Sequence, residues 1–131
     1  MSTVGPIAAV NRTRRVLLAQ NVKIANTHWT RLRGLMGTTQ STFHPGQALW
    51  IVPCRGIHTI AMRFPLDLLY LDRYSRVVHL EEDVKPWRFA AIKLRAASVL
   101  ELPPGTIQRS GTGVGDKIEI ATANQPEGIA A

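Results

Sequence analysis

Two apolar runs separated by a short polar turn lie near the middle of the chain, and they constrain the fold more than any other feature. The first run is LDLLYLD (66–72) and the second is RVVHLEEDV (76–84). Runs of this length, rich in leucine, valine and tyrosine, are typical of two strands joined as a β-hairpin. Because alternate side chains of a strand point to opposite faces, we expect Leu66, Leu68 and Tyr70 to share one face of the first strand.

Shorter apolar runs predict the remaining elements. Residues 15–26 form either a second hairpin, which turns at Gln20 and Asn21, or one strand with a bent continuation. Residues 85–96 fit either a short helix or a loop. The other segments are predicted as a helix capped by Thr27 over residues 27–37, strands at 48–53, 97–103 and 112–121, and a helical turn at 105–111.

These elements do not alternate as strand–helix–strand units, so we do not expect a doubly wound parallel sheet. The predicted fold class is α+β and mainly β: a small, curled, antiparallel or mixed sheet that approaches a partial barrel, with one or two short helices. A chain of 131 residues suits one domain. We expect a single globular domain over residues 15–121, a flexible leader over 1–14 and a flexible tail over 122–131.

The chain is basic, with a net charge of +7, and twelve of its sixteen basic residues are arginine. Arginine binds phosphates bidentately, so nucleic acid must be considered as a partner. The arginines are scattered, however, and the one tight cluster, at Arg12, Arg14 and Arg15, has no aromatic residues interleaved with it. We therefore do not expect nucleic acid as the partner.

Cys54 is the only cysteine, which excludes an intramolecular disulfide and a zinc site of several cysteines. A lone thiol suits a reducing compartment. No apolar run approaches the ~20 residues that a membrane-spanning helix needs. A signal peptide has a positive charge before its apolar stretch, and the apolar stretch at residues 4–10 has none. We expect a cytoplasmic protein with no membrane partner.

Five stretches of the chain occur in order: RLRGLMG, CRGIHTIAMRFPLDLLYLD, RVV, VLELPPG and GVGDKIEI. In this order and spacing they resemble a prokaryotic family known as domain of unknown function 192. The resemblance spans about residues 15–121 and implies a small β-rich domain with helical elements and no established activity. Many members carry Trp-Met-Lys-Asn-Thr where this chain reads HTIAM (58–62), so the chain resembles a histidine-bearing variant to which a role of that tryptophan does not transfer.

Asp67 and Glu101 are the first catalytic candidates, because each is a carboxylate inside an apolar strand. Two carboxylates that face one cleft can divide the roles of general acid and base. Each can instead face solvent from an antiparallel strand. A third alternative is structural: Asp67 accepts hydrogen bonds from loop amides or from an arginine such as Arg63.

His58 offers two further kinds of chemistry. With Cys54 it would form a thiol–imidazole pair, but four extended positions separate Cα atoms by up to about 13 Å, and Cys54 is more simply a small buried hydrophobe. With Asp67 it would need a third metal ligand. The other histidines, at 28, 44 and 79, show no ligand spacing, so we expect no metal and no cofactor.

Trp87 is close in the sequence to Lys85 and Arg88, and we consider it together with the more distant Arg63. Together they form either an amphipathic rim that stacks a flat ligand or holds an anion, or a loop in which Trp87 is a half-buried lid on the core. The glycine-rich GTGVGD (111–116) opens a strand and not a helix, so it is a turn and not a phosphate loop.

The first functional hypothesis is a monomeric, non-catalytic binding module for a small molecule or a protein partner. The alternative is a hydrolase or transferase that uses His58 with Asp67 or Glu101, which requires these side chains to share a pocket. The third is a nucleic-acid-binding protein, which requires a continuous arginine face. The expected ligand-binding residues are His58, Thr59, Met62, Arg63, Asp67 and Trp87.

Overall fold

The computed structural model describes residues 5–33, 35, 38–59 and 62–122. Within these ranges, eight strands form a three-stranded and a five-stranded sheet, and there are two short helices. The elements are β1 (Ile7–Asn11), β2 (Val16–Ala19), β3 (Asn21–Ala25), α1 (His28–Arg33), β4 (Gln47–Ile51), β5 (Leu66–Leu71), β6 (Val77–Val84), β7 (Ser98–Leu102), α2 (Thr106–Ser110) and β8 (Ile118–Thr122).

The larger sheet has the strand order β3-β4-β7-β5-β6, and the smaller has β2-β1-β8. Among the described strands, only the β3–β4 pair is parallel; the other pairs run antiparallel. The hairpin predicted from the two central apolar runs is β5–β6, with Tyr70 opposite His79. The predicted α+β, mainly β class with a mixed sheet is therefore confirmed.

Both faces of the larger sheet are covered. All six residues of β5 and all five of β7 are buried. Leu66, Leu68 and Tyr70 pack in one apolar cluster with Phe64, whereas Leu69 packs on the other face in a second cluster. Burying one such side chain fully contributes about 1.5–3 kcal/mol. A polar residue on these two strands is therefore forced into an apolar interior.

The chain bends between the two sheets at Gln20 and Asn21. Their amides both donate to the carbonyl oxygen of Gly46, each at 3.0 Å. Gly46 has a φ of 100°, a conformation that glycine adopts without strain. Since β2 pairs with β1 and β3 pairs with β4, the bent continuation is the correct alternative and a hairpin is not formed.

The flexible leader predicted over residues 1–14 is wrong for Ile7–Asn11, which form the central strand of the smaller sheet. Asn11 is completely buried, and its amide group donates to Thr112 and Asp116, each at 2.9 Å. These long-range contacts order a segment that has no local signal of its own. Residues 1–4 of the predicted leader and residues 123–131 of the predicted tail lie outside the described residues.

The predicted helix after residue 27 begins as expected. Thr27 Oγ1 accepts a hydrogen bond from the Thr30 amide at 3.1 Å, and Thr30 Oγ1 accepts one from the Thr27 amide at 3.0 Å, so both ends of the cap are satisfied. Gly34, Met36 and Gly37, also placed in this helix, lie outside the described residues. Among the described ranges, no helix has the length and apolar character to cross a bilayer.

Candidate functional site

Asp67 and Glu101 lie on adjacent strands but project to opposite faces of the sheet. Asp67 is opposite Leu102, and Glu101 is opposite Leu68, in the β5–β7 register. Because side chains alternate along a strand, the two carboxyl groups are separated by the sheet itself. The hypothesis that both line one pocket wall with His58 is therefore wrong.

The carboxylate of Asp67 joins three elements of the fold. The side chain is completely buried; its Oδ1 accepts a hydrogen bond from the Asp83 amide in β6 and its Oδ2 accepts one from the Ile107 amide in α2, each at 2.9 Å. Both partners are backbone amides, and Arg63 is exposed. These bonds match the structural alternative for Asp67, since a buried carboxylate must be satisfied in this way.

Glu101 is buried among apolar side chains, and its Oε2 has no hydrogen-bond partner among the residues that the structure describes. Burial raises the pKa of Glu101 to about 8. The carboxyl group therefore holds its proton at neutral pH, because the charged form is penalised by desolvation. Its cross-strand neighbours are Leu49 and Leu68.

The Cys54 thiol lies on the same side of the sheet as Glu101. Burial raises the pKa of Cys54, a backbone hydrogen bond at Gly56 lowers it, and the nearby Glu101 raises it again. The thiol Sγ donates to the Gly56 carbonyl at 3.1 Å. A thiol with a raised pKa is a poor nucleophile. Cys54 packs against the apolar cluster that contains Leu68 and Tyr70, as expected for a small hydrophobic side chain.

Thr59 is buried and connects its segment to the loop that follows β6. Its Oγ1 donates to the Lys85 carbonyl at 2.7 Å and accepts from the Arg88 amide at 2.8 Å. Its carbonyl accepts from the Trp87 amide at 2.8 Å. Thr59 and Met62, both predicted to bind ligand, therefore face the interior.

The remaining predicted ligand-binding residues reach the surface. His58 is half-buried and pairs with Phe89 in an isolated antiparallel bridge, and Arg63 is exposed. Trp87 is 64% exposed, so its interpretation as a half-buried lid is wrong. Residues 85–96 form an irregular loop, which is the second of the two predicted alternatives.

An open groove of about 790 Å³ brings together four arginines that are far apart in the sequence. Asp72 is the one acidic residue among the described lining residues. The apolar part of the lining includes Pro53, Leu94 and Ala96. The arginines are Arg31 from α1, Arg55 after β4, Arg73 after β5 and Arg95 before β7.

Two of these guanidinium groups are fixed by neighbours, and two are free to meet a ligand. Arg31 Nη1 donates to the Pro53 carbonyl at 3.1 Å. Arg73 Nη2 donates to the Tyr74 hydroxyl at 2.6 Å, and the Arg73 guanidinium carbon Cζ lies 4.9 Å from the centre of that ring. Arg55 and Arg95 are exposed and form no ion pair with any residue the structure describes.

Asp72 does not neutralise the groove. Its Oδ1 accepts hydrogen bonds from the Tyr74 amide at 2.8 Å and the Arg76 amide at 3.0 Å, which fix the β5–β6 turn. Asp72 supplies one negative charge to the groove, and the four arginines supply four positive charges. The excess of positive charge attracts anions, and arginine matches the geometry of phosphate and carboxylate oxygens.

The family model for DUF192, described as an uncharacterised ACR, matches residues 9–120. The chain belongs to the DUF192 family. Among relatives of this DUF192 domain, the UPF0127 protein of Thermococcus sibiricus is 32% identical over 84% of this chain and 72% of its own length. The UPF0127 protein of Pyrococcus abyssi is 31% identical over 86% and 97%, respectively.

Two bacterial crystal structures share the fold of this DUF192 domain. A Novosphingobium aromaticivorans protein of unknown function has a TM-score of 0.74 and 20% identity over 88% of this chain and 84% of its own. A Sinorhizobium meliloti protein described as a putative transcription regulator has a TM-score of 0.70 and 23% identity over 91% and 98%. At these identities the likeness establishes the fold alone.

Sequence reasoning missed the arginine groove of this DUF192 domain because no local motif encodes it. Strand β7 runs antiparallel to both β4 and β5, so residues that follow β4 and β5 lie at the same sheet edge as residues that precede β7. Arg55, Arg73 and Arg95 occupy those three places. A correct strand order was the only signal that would have grouped them.

Proposed function

We propose that this DUF192 domain is a non-catalytic binding domain that holds a small molecule with two or more phosphate groups in the arginine groove. The convergence of four arginines and one acidic residue carries the proposal. A guanidinium group binds a phosphate through two parallel hydrogen bonds. The groove volume of about 790 Å³ also falls within the ~300–1,000 Å³ of small-molecule sites.

The lining of the groove favours binding over catalysis. The described lining residues include no histidine, cysteine, serine or lysine, and the carboxylate of Asp72 is engaged by two backbone amides. No activated nucleophile with an adjacent base, which covalent catalysis requires, faces the groove in this part of the chain. The hydrolase or transferase alternative needed its carboxylates in one pocket, and the sheet separates Asp67 from Glu101.

A small ligand also fits the charge distribution better than nucleic acid does. Beside the smaller sheet, basic residues are paired with acidic ones: Arg14 Nε lies 3.0 Å from Asp116 Oδ2, and Arg12 Nη1 lies 4.0 Å from Glu119 Oε1. Acidic residues interspersed in this way weaken the contact with a long phosphate backbone. The description of the Sinorhizobium meliloti protein as a putative transcription regulator nevertheless makes DNA a necessary arm of the test.

Isothermal titration with inorganic pyrophosphate and with ADP tests the proposal. We expect saturable binding by the wild type and at least about tenfold weaker binding by Arg55→Gln and by Arg95→Gln, because a hydrogen bond to a charged group contributes about 1.5–3 kcal/mol. Lys23→Gln is the matched control: it removes one positive charge from an exposed position on β3. It should bind like the wild type.

Three outcomes contradict the proposal. The first is no binding of either probe by the wild type. The second is loss of binding in Arg63→Gln but not in Arg55→Gln, which would move the site to the surface predicted from the sequence. The third is tighter binding of duplex DNA than of pyrophosphate, with an affinity that falls steeply with salt concentration.

A further inference from the structure

We propose that loop 85–95 seats the protein on the surface of a bilayer that contains anionic lipid. This stretch reads KPWRFAAIKLR, with four basic residues and no acidic one. It also carries four of the large apolar side chains that the structure exposes: Trp87 is 64% exposed, Phe89 82%, Ile92 73% and Leu94 81%. Exposed apolar side chains concentrated in one segment mark a site of protein or membrane interaction.

The backbone of loop 85–95 is held in place although its large side chains are exposed. The Ala90 amide donates to the Ile57 carbonyl at 2.9 Å, the Lys93 amide donates to the Arg55 carbonyl at 2.9 Å, and the Ala91 carbonyl accepts from the Tyr70 hydroxyl at 2.6 Å. Ala90 is the buried residue of the loop. Small residues therefore fill the interior, and the large ones are presented to solvent in a fixed arrangement, which lowers the entropy lost on binding.

The conformation of Trp87 supports a role for this display. Trp87 has a φ of 63°, in the left-handed region that a bulky side chain rarely adopts. The Trp87 amide donates to the Thr59 carbonyl, and this contact holds the strained conformation. Strain of this kind, held by surrounding contacts, is concentrated at functional sites.

The charges of loop 85–95 select a membrane surface as the partner. Lys85 pairs with Asp83 at 2.6 Å, while Arg88, Lys93 and Arg95 are exposed and form no ion pair within the described chain. Apolar side chains that insert beside lysine and arginine are the pattern of proteins that lie on anionic bilayers. A second copy of the chain is a poor occupant, because two basic loops would repel each other.

This association is separate from membrane spanning, and it departs from the expectation of no membrane partner, which rested on the lack of a long apolar run. It is also separate from the proposed anion site. Leu94 and Arg95 belong to both the loop and the groove, but Trp87 and Phe89 belong to the loop alone. Changes at those two positions therefore distinguish the two proposals.

Co-sedimentation with vesicles tests the proposal, using phosphatidylcholine alone and phosphatidylcholine mixed with phosphatidylserine. We expect the wild type to sediment with the mixed vesicles at low salt and less with the neutral ones. Trp87→Ser and Phe89→Ser should each weaken binding by at least about tenfold, and Arg88→Gln by about fivefold, the effect of one basic residue near such a surface. Val114→Ser, at a position 66% exposed and outside the loop, should have no effect.

Circular dichroism must show that all four variants fold, and pyrophosphate titration should be unchanged in Phe89→Ser. A blue shift of tryptophan emission on the mixed vesicles, lost in Trp87→Phe, would place Trp87 in the bilayer interface. The proposal is overturned if the wild type does not bind the mixed vesicles. It is equally overturned if Phe89→Ser binds like the wild type, or if the wild type self-associates through the loop and binds no lipid.

Discussion

Asp67 Oδ2 accepts a hydrogen bond from the amide of Ile107, forty residues further along the chain, at 2.9 Å. This single contact fixes the start of α2 against the most buried strand of the larger sheet. The other oxygen of the same carboxylate holds the Asp83 amide of β6. Asp67 therefore acts in the fold and not in a cleft.

Replacement of Asp67 by asparagine should destabilise the protein strongly. One of the two backbone amides that donate to the Asp67 carboxylate then faces the NH₂ group of the asparagine and has no acceptor. A buried donor without a partner costs about 1–3 kcal/mol. Urea denaturation measures the loss. Asp72→Asn is the control. Asp72 also accepts hydrogen bonds from two backbone amides, but these amides belong to a turn that reaches solvent, where water can replace a lost partner. Equal losses in the two variants would refute the structural role of Asp67.

Glu101→Gln should remove a pH dependence of stability. The ordinary pKa of this carboxyl group is 4.5 and burial raises it to about 8 in the folded protein. The folded state therefore keeps a proton that the unfolded state releases above pH 4.5. The contribution of the neutral carboxyl is complete below pH 4.5 and is lost as the pH rises through 8.

Denaturation at several pH values checks this behaviour. The wild type should lose stability between about pH 5 and pH 8, and Glu101→Gln, which cannot ionise, should lose much less. Glu82→Gln removes a carboxylate from an exposed position on β6 and should follow the wild-type curve. A Glu101→Gln curve parallel to that of the wild type would contradict a neutral, buried Glu101.

Thr59→Val should loosen loop 85–95 while leaving the sheets intact. The substitution preserves the shape of the side chain but removes the hydroxyl that bonds to the Lys85 carbonyl and the Arg88 amide. Hydrogen exchange of the Arg88 amide should become faster. Thr122→Val, at the exposed end of β8, should leave that exchange unchanged. Unaltered protection of Arg88 in Thr59→Val would show that the hydroxyl does not hold the loop.

The sequence predicted strands that carry a strong local pattern. The β5–β6 hairpin and β7 are dense in leucine and valine and are bounded by turn residues, so period and composition identify them. Strand β1 was missed because IAAVN has two alanines, which have low strand propensity, and because its partners are distant: Ile7 pairs with Thr122. Pairing between the two ends of a chain leaves no local trace.

The candidate site was harder to predict than the fold, for a related reason. Trp87 was predicted to be part of a ligand-binding rim or a half-buried lid. Its exposure depends on a backbone conformation held by its contact with Thr59, which a linear pattern does not contain. Asp67 and Glu101 look alike in sequence, and only the strand register places them on opposite faces. The arginine groove depends entirely on which strands are neighbours.

The most direct test of the anion site is NMR of the arginine side chains, with ¹⁵N-labelled Nε groups followed during titration with inorganic pyrophosphate. A phosphate bound bidentately changes the environment of the guanidinium groups it contacts. We predict that the resonances of Arg31, Arg55, Arg73 and Arg95 shift together with one saturation curve. Shifts confined to Arg12, Arg14 and Arg15, or no shifts at all, would contradict the account.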